Sequence, residues 1–547
     1  MSSLLAVEAC SFNLIDEGWI PVRMRDGRAA SLGILETLSR AEEIAGLEVD
    51  FPTEEPPIIR LLLAICYRAL DGPKNTAAWN ELWASEQLPM ERLAGYLDRW
   101  RGRFDLFDTE APFFQTPGLE PVNKKTGYKG ANFLLTHFPS GNNVPLFAPV
   151  SDTSQLVLDP ARAARSLLAR HAWGTTSDKT GATGNPLVKA GRDSAGLGHL
   201  GYCGFVAPVG HSLKETLLLN LIPFDQGVET GPDDLPCWER EPTTPERKKD
   251  RIPSGVCDLF TWQGRRMRLC PEWRDGEIVV PRVVVCAGDT INKNAAARLE
   301  IHCGWEVRTT KKKEQFVAST NFKVNQQSWR GASSLLALGA DHRRRASVLT
   351  WAVKEHGLMT LSVLVVSVGY TAKGSRQTGI LADRLDISVA ALSEDNEEKA
   401  QIILDAVRYV PKVAAALELV SDGDYLVRKP KAKPPDPELY MVRTWKRDKI
   451  LPQASDARTV IVEELYAALD GHFRRLLVEI GSPGFAEHAP EKWADIVDSE
   501  ARRIADQRIE RLAVMDPLRA AYVRGQFRKK LGGSRKAYSP KVTKEAA

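Results

Sequence analysis

One stretch near the N-terminus decides the fold of this chain, and it runs Phe12-Asn13-Leu14-Ile15-Asp16-Glu17-Gly18-Trp19-Ile20-Pro21-Val22. Its apolar and polar residues alternate in part, which is typical of a strand with one buried face. Residues 25–28 have the turn-forming sequence Arg-Asp-Gly-Arg, and residues 31–35 lead into a helix. The pattern therefore predicts two short strands joined by a turn over residues 13–35, with Trp19 and Ile20 packed in a core.

The sequence around this stretch mixes helices, strands and loops. Helices are predicted over Ile58–Leu70, Trp79–Trp100 and Ser347–Tyr370, and strands over Leu213–Pro223 and Val279–Val285. Residues 124–148 and 174–204 are rich in residues that favour turns, and both are predicted as long loops. Because loops of this length inside a folded domain are usually functional or disordered, they are the first places to search for a binding site.

The C-terminal part has a different pattern. Apolar residues recur at helical spacing in four segments, which are Glu394–Val420, Arg458–Ile480, Pro490–Met515 and Leu518–Leu531. Helix-breaking residues separate the segments, so the pattern predicts a four-helix bundle. A chain of 547 residues also exceeds the usual limit of about 250–300 residues for one core. The predicted fold class is therefore α+β: a mixed N-terminal domain over 1–388, the bundle over 389–533, and a basic, disordered tail over 534–547.

Overall charge does not by itself indicate a nucleic-acid-binding protein, because 74 Lys and Arg stand against 70 Asp and Glu. Local basic clusters are more informative. They are Arg247–Lys249, Lys311–Lys313, Arg343–Arg345, Arg428–Lys433, and Arg528–Lys530 continuing to Arg535-Lys536. Each cluster alone is commonly a solvated surface, whereas several on one face would form a groove for a phosphate backbone.

No motif in the sequence indicates an enzyme, a cofactor or a metal site. The phosphate-binding loop, the His-Glu-x-x-His motif and Cys-x-x-Cys spacing are all missing. Residues 196–201 match G-x-G-x-x-G, but the flanking residues do not favour the strand and helix that a dinucleotide site requires. Eight scattered cysteines are typical of reduced thiols in a cytoplasmic protein, and the longest apolar run is too short for a membrane span. A nuclease or hydrolase with a dispersed site stays open as an alternative.

The start of the chain resembles the CasA family, the large subunit of the type I-E CRISPR Cascade complex. The resemblance rests first on residues 13–22, which match the family pattern N-L-I-D-x-x-W-I-P-V. Four later segments are similar in the same order: Ala111–Thr116 to a family turn, Ser140–Phe147 to a loop that meets the guide RNA, Thr216–Asn220 to a core strand, and Gly369–Leu381 to a DNA-contacting segment. The resemblance thus covers nearly the whole chain.

The resemblance implies a subunit without catalytic activity that recognises the protospacer-adjacent motif in double-stranded target DNA, largely from the minor groove. It also implies that the subunit nucleates the R-loop, in which the guide RNA pairs with the target. Its partners would be the guide RNA 5′ handle, the handle-capping, backbone and small subunits of Cascade, and the helicase–nuclease. No membrane partner is implied, and Trp19 and Ile20 would not touch nucleic acid.

Residue by residue, the resemblance implies two groups of site residues. Motif recognition would use a wedge at Gln377, the adjacent Arg376, a lysine at Lys293, and a glycine-containing loop with Gly174, Gly181 and Gly184. The guide handle would contact Phe147, Asn142 and Asn143 by stacking and hydrogen bonding.

Two departures from the family pattern bear on these assignments. The loop glycines are spaced where the family example has consecutive ones, and an arginine stands at 376 in place of an expected asparagine. A scaffold subunit that does not contact the motif therefore stays open as a second alternative.

Overall fold

The computed structural model describes residues 10–135, 156–228, 230–310, 313–336, 343–354, 357–422, 427–428, 440–441 and 452–538. The chain divides into two compact units. The first contains most of the residues before Leu385, and the second is the C-terminal part together with segments that begin at Gln326 and Gly357. The sequence pattern predicted the division after residue 388, which would leave both of these segments in the N-terminal domain.

The described part of the first unit is built from helices and four three-stranded sheets. Its helices are α1 Ile34–Ser39, α2 Glu55–Leu70, α3 Thr76–Ala84, α4 Met90–Arg99, α5 Lys124–Gly127, α6 Pro160–Trp173, α7 His199–Cys203, α8 Leu213–Asn220, α9 Val256–Phe260, α10 Lys293–Leu299 and α11 Ser347–Ala352. Its strands, of which the last two extend into the second unit, are β1 Ile20–Met24, β2 Ala29–Leu32, β3 Ile44–Leu47, β4 Tyr128–Gly130, β5 Phe205–Val209, β6 Arg265–Arg274, β7 Glu277–Ala287, β8 Trp305–Thr309, β9 Gln315–Ser319, β10 Arg343–Arg344, β11 Thr360–Tyr370 and β12 Gln377–Ser388.

The opening stretch forms the predicted strand pair. β1 pairs antiparallel with β2 on one side and with β3 on the other. Trp19 and Ile20 are both 0% exposed, so their predicted burial is confirmed. The Trp19 indole donates a 2.9 Å hydrogen bond to the Leu14 carbonyl, and a Cβ on Gly18 would lie 2.6 Å from the Ser31 carbonyl oxygen. This segment therefore folds by close apolar packing and leaves little room for substitution.

Two predicted elements are of the wrong type, and the helix predicted over Trp79–Trp100 is instead the two helices α3 and α4. Leu213–Pro223, predicted as a strand, is the helix α8. The Ser212 hydroxyl accepts a hydrogen bond from the Glu215 amide and so caps the helix, and the buried apolar run that follows fits a buried helix as well as a strand. The long helix predicted over Ser347–Tyr370 is instead the short helix α11 followed by strand β11, whose many valines favour a strand.

Two sheets of the first unit position the residues of interest. One has the strand order β12-β11-β5, and β11 pairs antiparallel with β5. The other has the order β4-β7-β6, and β7 confirms the strand predicted over Val279–Val285. The six residues 371–376 connect β11 to β12, and we call them turn 371–376. Residues 174–198 connect α6 to α7, and we call them loop 174–198.

The second unit contains the short helix α12 Val389–Leu392, the long helices α13 Glu397–Asp422, α14 Pro452–Glu479, α15 Phe485–Met515 and α16 Pro517–Tyr538, and the two-residue strands β13 Val427–Arg428 and β14 Tyr440–Met441. The four long helices confirm the predicted helical region. Its core includes Trp493, which donates a 3.0 Å hydrogen bond to the Ala406 carbonyl, and Tyr409, which donates one of 2.6 Å to Asp498.

The tail predicted as disordered from residue 534 is corrected at its start, because α16 continues to Tyr538. The Tyr538 ring stacks on Tyr409 with 4.2 Å between the ring centroids, which holds this end of the helix. Residues 539–547 lie outside the described residues. Among the described helices, none combines the length and the apolar character that a membrane crossing needs.

Candidate nucleic-acid interface

The candidate site is built around the C-terminal end of α6. Asp159 caps the start of this helix by accepting a hydrogen bond from the Arg162 amide, and Pro160 occupies its first position. The helix ends at Trp173, and Gly174 begins loop 174–198. The Trp173 side chain is fully buried and donates a 2.8 Å hydrogen bond to the Thr53 carbonyl. The loop therefore starts from a rigidly held point.

A buried ionic group holds the loop, and we call it the Asp178 cluster: Arg170 on α6, Asp178 in the loop and Arg265 at the start of β6. The Arg265 Nε donates to Asp178 at 2.6 Å, and the Arg170 guanidinium pairs with the other carboxylate oxygen. The side chains of Asp178 and Arg265 are 0% and 1% exposed. Burial lowers the pKa of the Arg265 guanidinium, and Asp178 opposes that change. Charge-assisted bonds in such a dry setting are stronger than surface ion pairs.

Loop 174–198 lies directly against turn 371–376. The Thr176 amide donates to the Gly374 carbonyl at 2.9 Å, and the Thr176 hydroxyl donates to the Lys373 carbonyl at 2.8 Å. Gly374 has φ +66°, and a Cβ there would lie 3.0 Å from Leu197, so both its conformation and its surroundings favour glycine. The Tyr370 hydroxyl adds a 2.7 Å bond to the Trp173 carbonyl. The two segments thus form one surface.

Lys293 approaches this surface through α7. Its exposed side chain begins α10, and its ammonium lies 4.0 Å from the centroid of the Tyr202 ring. Tyr202 is on α7, where neighbouring Gly201 packs so closely on Tyr370 that a Cβ would lie 2.4 Å from the hydroxyl oxygen. The structure therefore brings Lys293 near the base of turn 371–376, as a shared site requires.

Gln377 and Arg376 differ in their exposure. Arg376 is exposed at the end of the turn, whereas the side-chain amide of Gln377 is shielded from solvent beside the Tyr370 hydroxyl. Neither amide atom has a hydrogen-bond partner of good geometry among the described residues. Burial raises the pKa of the Tyr370 phenol, so Tyr370 stays a donor and its proton is directed to Trp173. A buried amide without partners is unfavourable by about 1–3 kcal/mol, which favours its outward rotation when a partner arrives.

The three loop glycines have different surroundings. Gly174 and Gly181 are buried, and a Cβ on either would lie within 2.7 Å of the Arg170 or the Gly191 backbone. Packing alone accounts for these two glycines. Gly184 is exposed, has φ +86°, and has no atom nearer than 4.0 Å to its Cβ position. Of the three, only Gly184 presents open backbone that a duplex could approach.

Six exposed cations lie on these segments, and none of them forms a salt bridge with another described residue: Lys179, Lys189, Arg192, Lys293, Lys373 and Arg376. Arginines beneath the surface are instead neutralised, since Arg251 and Arg266 both pair with Asp289. Because the inner arginines are already paired with carboxylates and the exposed cations are not, the charge that this surface presents to solvent is positive. Such a surface attracts the phosphates of a nucleic acid.

The remaining predicted residues are placed as follows. Phe147, Asn142 and Asn143 lie outside the described residues. Of the basic clusters, Arg247 is buried in an ion pair with Asp193, and Arg345 is buried and donates to Thr350. Both therefore have structural roles and cannot contact a phosphate. On α16, Arg528, Lys529, Lys530 and Lys536 are exposed, and residues 517–538 include no acidic residue.

One buried group resembles a metal or catalytic centre. His199, Cys203 and Glu300 bring their donor atoms within 4.8 Å of one another. The Arg60 guanidinium is 3.1 Å from the Glu300 carboxylate, lowers the pKa of that buried carboxyl, and already neutralises the charge that a cation would need. The adjoining cavity has about 30 Å³, which suits a water molecule and is far below the volume of a substrate site. This geometry gives no support to the hydrolase alternative.

Sequence reasoning missed Asp178, Arg265, Thr176 and Tyr202. No local pattern identifies them, because Asp178 and Arg265 are separated by 87 positions and meet only in the folded chain. One signal was available, since a lone Asp and a lone Thr in a glycine-rich loop commonly bond to backbone or side-chain groups nearby.

Fold and surface together define the class: an α+β protein with a helical second unit, whose first unit presents a cationic surface of loop 174–198, turn 371–376 and the start of α10. The chain belongs to the family described as CRISPR-associated protein Cse1, which matches residues 13–504. This membership confirms the resemblance drawn from residues 13–22.

Similar proteins include a CasA/Cse1 protein of Thermus thermophilus, 38% identical over 265 residues. That match covers 48% of this chain and 49% of the relative, so it spans about half the length of each protein. The Cse1 structure from Acidimicrobium ferrooxidans is 40% identical, with a TM-score of 0.87 and coverage of 97% and 99% of the two chains. The Thermobifida fusca Cse1 structure is 27% identical, with a TM-score of 0.82 and coverage of 96% and 98%.

Proposed function

We propose that this chain is the non-catalytic large subunit of a type I-E CRISPR surveillance complex, in which it recognises the protospacer-adjacent motif in duplex DNA. The observation that carries the proposal is the junction of loop 174–198, turn 371–376 and α7, where Thr176 bonds to Gly374 and Lys293 lies on Tyr202. The family resemblance assigns motif recognition to glycines of this loop, to Arg376 and Gln377 at the end of this turn, and to Lys293. A chain of similar fold is described as part of a CRISPR RNA-guided surveillance complex.

In this proposal the surface acts in two steps. The exposed cations first bind phosphates of the duplex. Lys293 then reaches into the minor groove, and the open backbone at Gly184 approaches the same groove. Gln377 then rotates out of its buried position and inserts beside the first base pair of the target. Unstacking one step costs a few kcal/mol, and insertion of the wedge together with pairing of the guide RNA offsets that cost.

The other assignments extend this role. Phe147, Asn142 and Asn143 would contact the 5′ handle of the guide RNA. The exposed cations of α16 would hold the displaced strand through its phosphates. The handle-capping, backbone and small subunits would be neighbours in a cytoplasmic complex, and the helicase–nuclease would be recruited after R-loop formation. Metal-dependent DNA cleavage by the purified chain alone would contradict the non-catalytic assignment.

A reconstituted guide-bound complex tested against a library of duplexes with randomised motifs decides the main proposal. We expect wild type to select a narrow set of motifs, K293A to bind them more weakly, and Q377A to bind them but to open the duplex slowly, as measured by 2-aminopurine fluorescence. Gln401, an exposed glutamine on α13 that bonds to Asp405, gives the control variant Q401A. If motif selection and opening are unchanged in K293A and Q377A, the subunit is a scaffold and the proposal is wrong.

A further inference from the structure

We propose that Asp178 and Arg265 are positioning residues for motif recognition: their buried ion pair sets the conformation of loop 174–198 and, through Thr176, that of turn 371–376. The inference rests on the proposed function, because it assigns to two interior residues the geometry of the surface that would contact DNA. Neither side chain is accessible to DNA, so any effect they have on recognition must act through the loop.

Arg265 connects the two ends of the loop. One of its terminal nitrogens, Nη2, donates to the Thr175 carbonyl and to the Gly196 carbonyl, both at 2.8 Å. Its other terminal nitrogen donates to the Gly264 carbonyl at 2.8 Å, which fixes the guanidinium to the backbone before β6. Only a planar group with several donors can bind both ends of the loop and Asp178 together, so a lysine cannot replace it.

Asp178 connects the interior of the loop to two arginines. Each of its carboxylate oxygens accepts from a different guanidinium, Arg170 on α6 and Arg265. Its backbone carbonyl accepts from the Ala195 amide, and Gly198 donates to the Gly174 carbonyl at 2.9 Å. The loop is thereby closed at its base and pinned in its interior. Gly174 is part of the same arrangement, because a Cβ would lie 2.6 Å from Arg265 Nη2.

Thr176 couples the position of loop 174–198 to that of turn 371–376. Thr176 stands between Thr175, which Arg265 holds, and Asp178, and it makes two hydrogen bonds to the backbone of turn 371–376. Both bonds end on carbonyls of the turn, at Lys373 and Gly374, so a displaced loop releases the backbone that precedes Arg376 and Gln377. Hydrogen bonds weaken steeply as their distance and angle change, so a displaced turn would weaken the contacts that Arg376 and Gln377 make with DNA.

The same helix provides a matched ion pair that does not touch the loop. Arg165 on α6 pairs with Glu54 at 3.1 Å, and these side chains are 10% and 3% exposed. Arg165 also donates to the Trp19 carbonyl, so this pair supports β1 rather than the recognition surface. Burial raises the pKa of Glu54 to about 7, so the neutral glutamine of E54Q resembles a state that the site already accommodates.

The test compares D178N with E54Q in the full-length chain within the reconstituted complex. Hydrogen–deuterium exchange of residues 174–198 and 371–376 is measured first, without DNA. We expect D178N to accelerate exchange in both segments by tenfold or more, on the order expected when an ordered loop is released, and E54Q to leave both unchanged. Unchanged exchange in D178N would overturn the inference, whatever the result of the DNA-binding measurement.

The second measurement is the ratio of affinities for duplexes with and without the selected motif. We expect D178N to lower this ratio by roughly tenfold while E54Q keeps the wild-type ratio. A wild-type ratio in D178N despite faster exchange would show that the cluster only stabilises the fold. A wild-type complex without any motif preference would instead refute the proposed function, and the exchange data would still decide whether the cluster orders the loop.

A milder variant keeps the test decisive if D178N does not fold. T176V removes one hydroxyl and its bond to the Lys373 carbonyl but leaves the Asp178 cluster intact. We expect faster exchange in turn 371–376 alone and a decrease of roughly twofold to fivefold in the motif ratio, as for the loss of one hydrogen bond. An unchanged turn and ratio in T176V would overturn the coupling between loop and turn.

Discussion

Residues 12–22 and loop 174–198 are held in place by opposite kinds of interaction. The first segment buries most of its apolar side chains, with Leu14, Ile15, Trp19 and Ile20 all at 0% exposure. The second has few buried apolar side chains and depends on the Asp178 cluster and on backbone hydrogen bonds. Apolar packing is not directional and defines no particular geometry at the surface, whereas hydrogen bonds do. The difference separates the segment that marks the family from the segment that we assign to recognition.

Helix α6 connects the two regions. Arg165 donates to the Trp19 carbonyl near its middle, and Arg170 pairs with Asp178 near its end. Disturbing the first region should therefore lower the stability of the whole unit without changing recognition, whereas disturbing the second should change recognition. The predictions that follow test this contrast, beginning with the largest effect.

Replacing Trp19 by alanine should remove much of the apolar packing that holds residues 12–22 in place. We expect W19A to lower the free energy of unfolding by about 3–5 kcal/mol, because it leaves a cavity under β1 and removes the hydrogen bond to Leu14. Urea denaturation followed by tryptophan fluorescence and circular dichroism measures the loss. W19A complexes that assemble should keep the wild-type motif ratio, and a changed ratio at full folding would contradict the division of roles.

His171, which follows Arg170 near the end of α6, gives a smaller and pH-dependent effect. Burial lowers the pKa of His171 to about 3, although the ring donates a 2.9 Å hydrogen bond to the Phe114 carbonyl. The folded chain thus binds this proton far less readily than the unfolded chain, whose histidines titrate near pH 6.5. Its contribution to stability is complete above about pH 6.5 and is lost as the pH falls toward 3. At pH 5 the loss should be about 2 kcal/mol.

The matched variant is H171Q, which keeps a polar side chain but cannot titrate. The difference in unfolding free energy between pH 7 and pH 5 should be smaller in H171Q than in wild type by that amount, because the effects of the carboxylates are common to both. The contribution of His199 is common to both proteins, so it cancels in this comparison. Burial opposes its protonation, but Cys203 and Glu300 raise its pKa to about 9, so its contribution is lost only as the pH rises toward that value. An equal pH dependence in both proteins would show that His171 is protonated in the folded chain.

Much of the fold was predictable because local signals and tertiary structure agree. The four long helices have apolar residues at helical spacing between strong breakers, and β1 and β2 flank a turn that contains Gly27 at φ +89°. Where a segment is buried on all sides the local signal is lost. The segments that form α8 and β11 are both buried along most of their length, so periodicity could not distinguish a helix from a strand.

The candidate site was less predictable for a different reason. Gln377 was named from a segment that resembles the family, and Lys293 only from its spacing after Gly288. The Gln377 amide lies beside the Tyr370 hydroxyl, and Lys293 lies on Tyr202, whose neighbour Gly201 packs on Tyr370. The groups that hold the loop could not be named, because Asp178 and Arg265 are 87 positions apart and only the fold brings them together. Burial also reverses simple expectations, since the Gln377 amide is hidden from solvent and a basic cluster can contain a neutralised arginine.

The smallest effect on stability is expected for Lys293, a residue of the proposed recognition surface whose substitution should change DNA binding far more than folding. Its ammonium makes only an exposed contact with the Tyr202 ring, so K293A should change the free energy of unfolding by less than about 1 kcal/mol. Its effect on binding should nevertheless be clear, because one phosphate contact contributes about 0.9 to the slope of log affinity against log salt. Titration of a motif-bearing duplex at several salt concentrations should therefore give a slope lower by about one in K293A.

The matched control for Lys293 is K492A in the helical unit. Lys492 lies 4.9 Å from the centroid of the Phe485 ring and 3.6 Å from the Glu479 carboxylate, so its substitution removes a similar cation–ring contact and an exposed ion pair from a surface that we do not assign to motif recognition. K492A should leave the salt slope unchanged. If both variants keep the wild-type slope, Lys293 does not contact a phosphate, and the recognition surface must act through Arg376 and the backbone of loop 174–198.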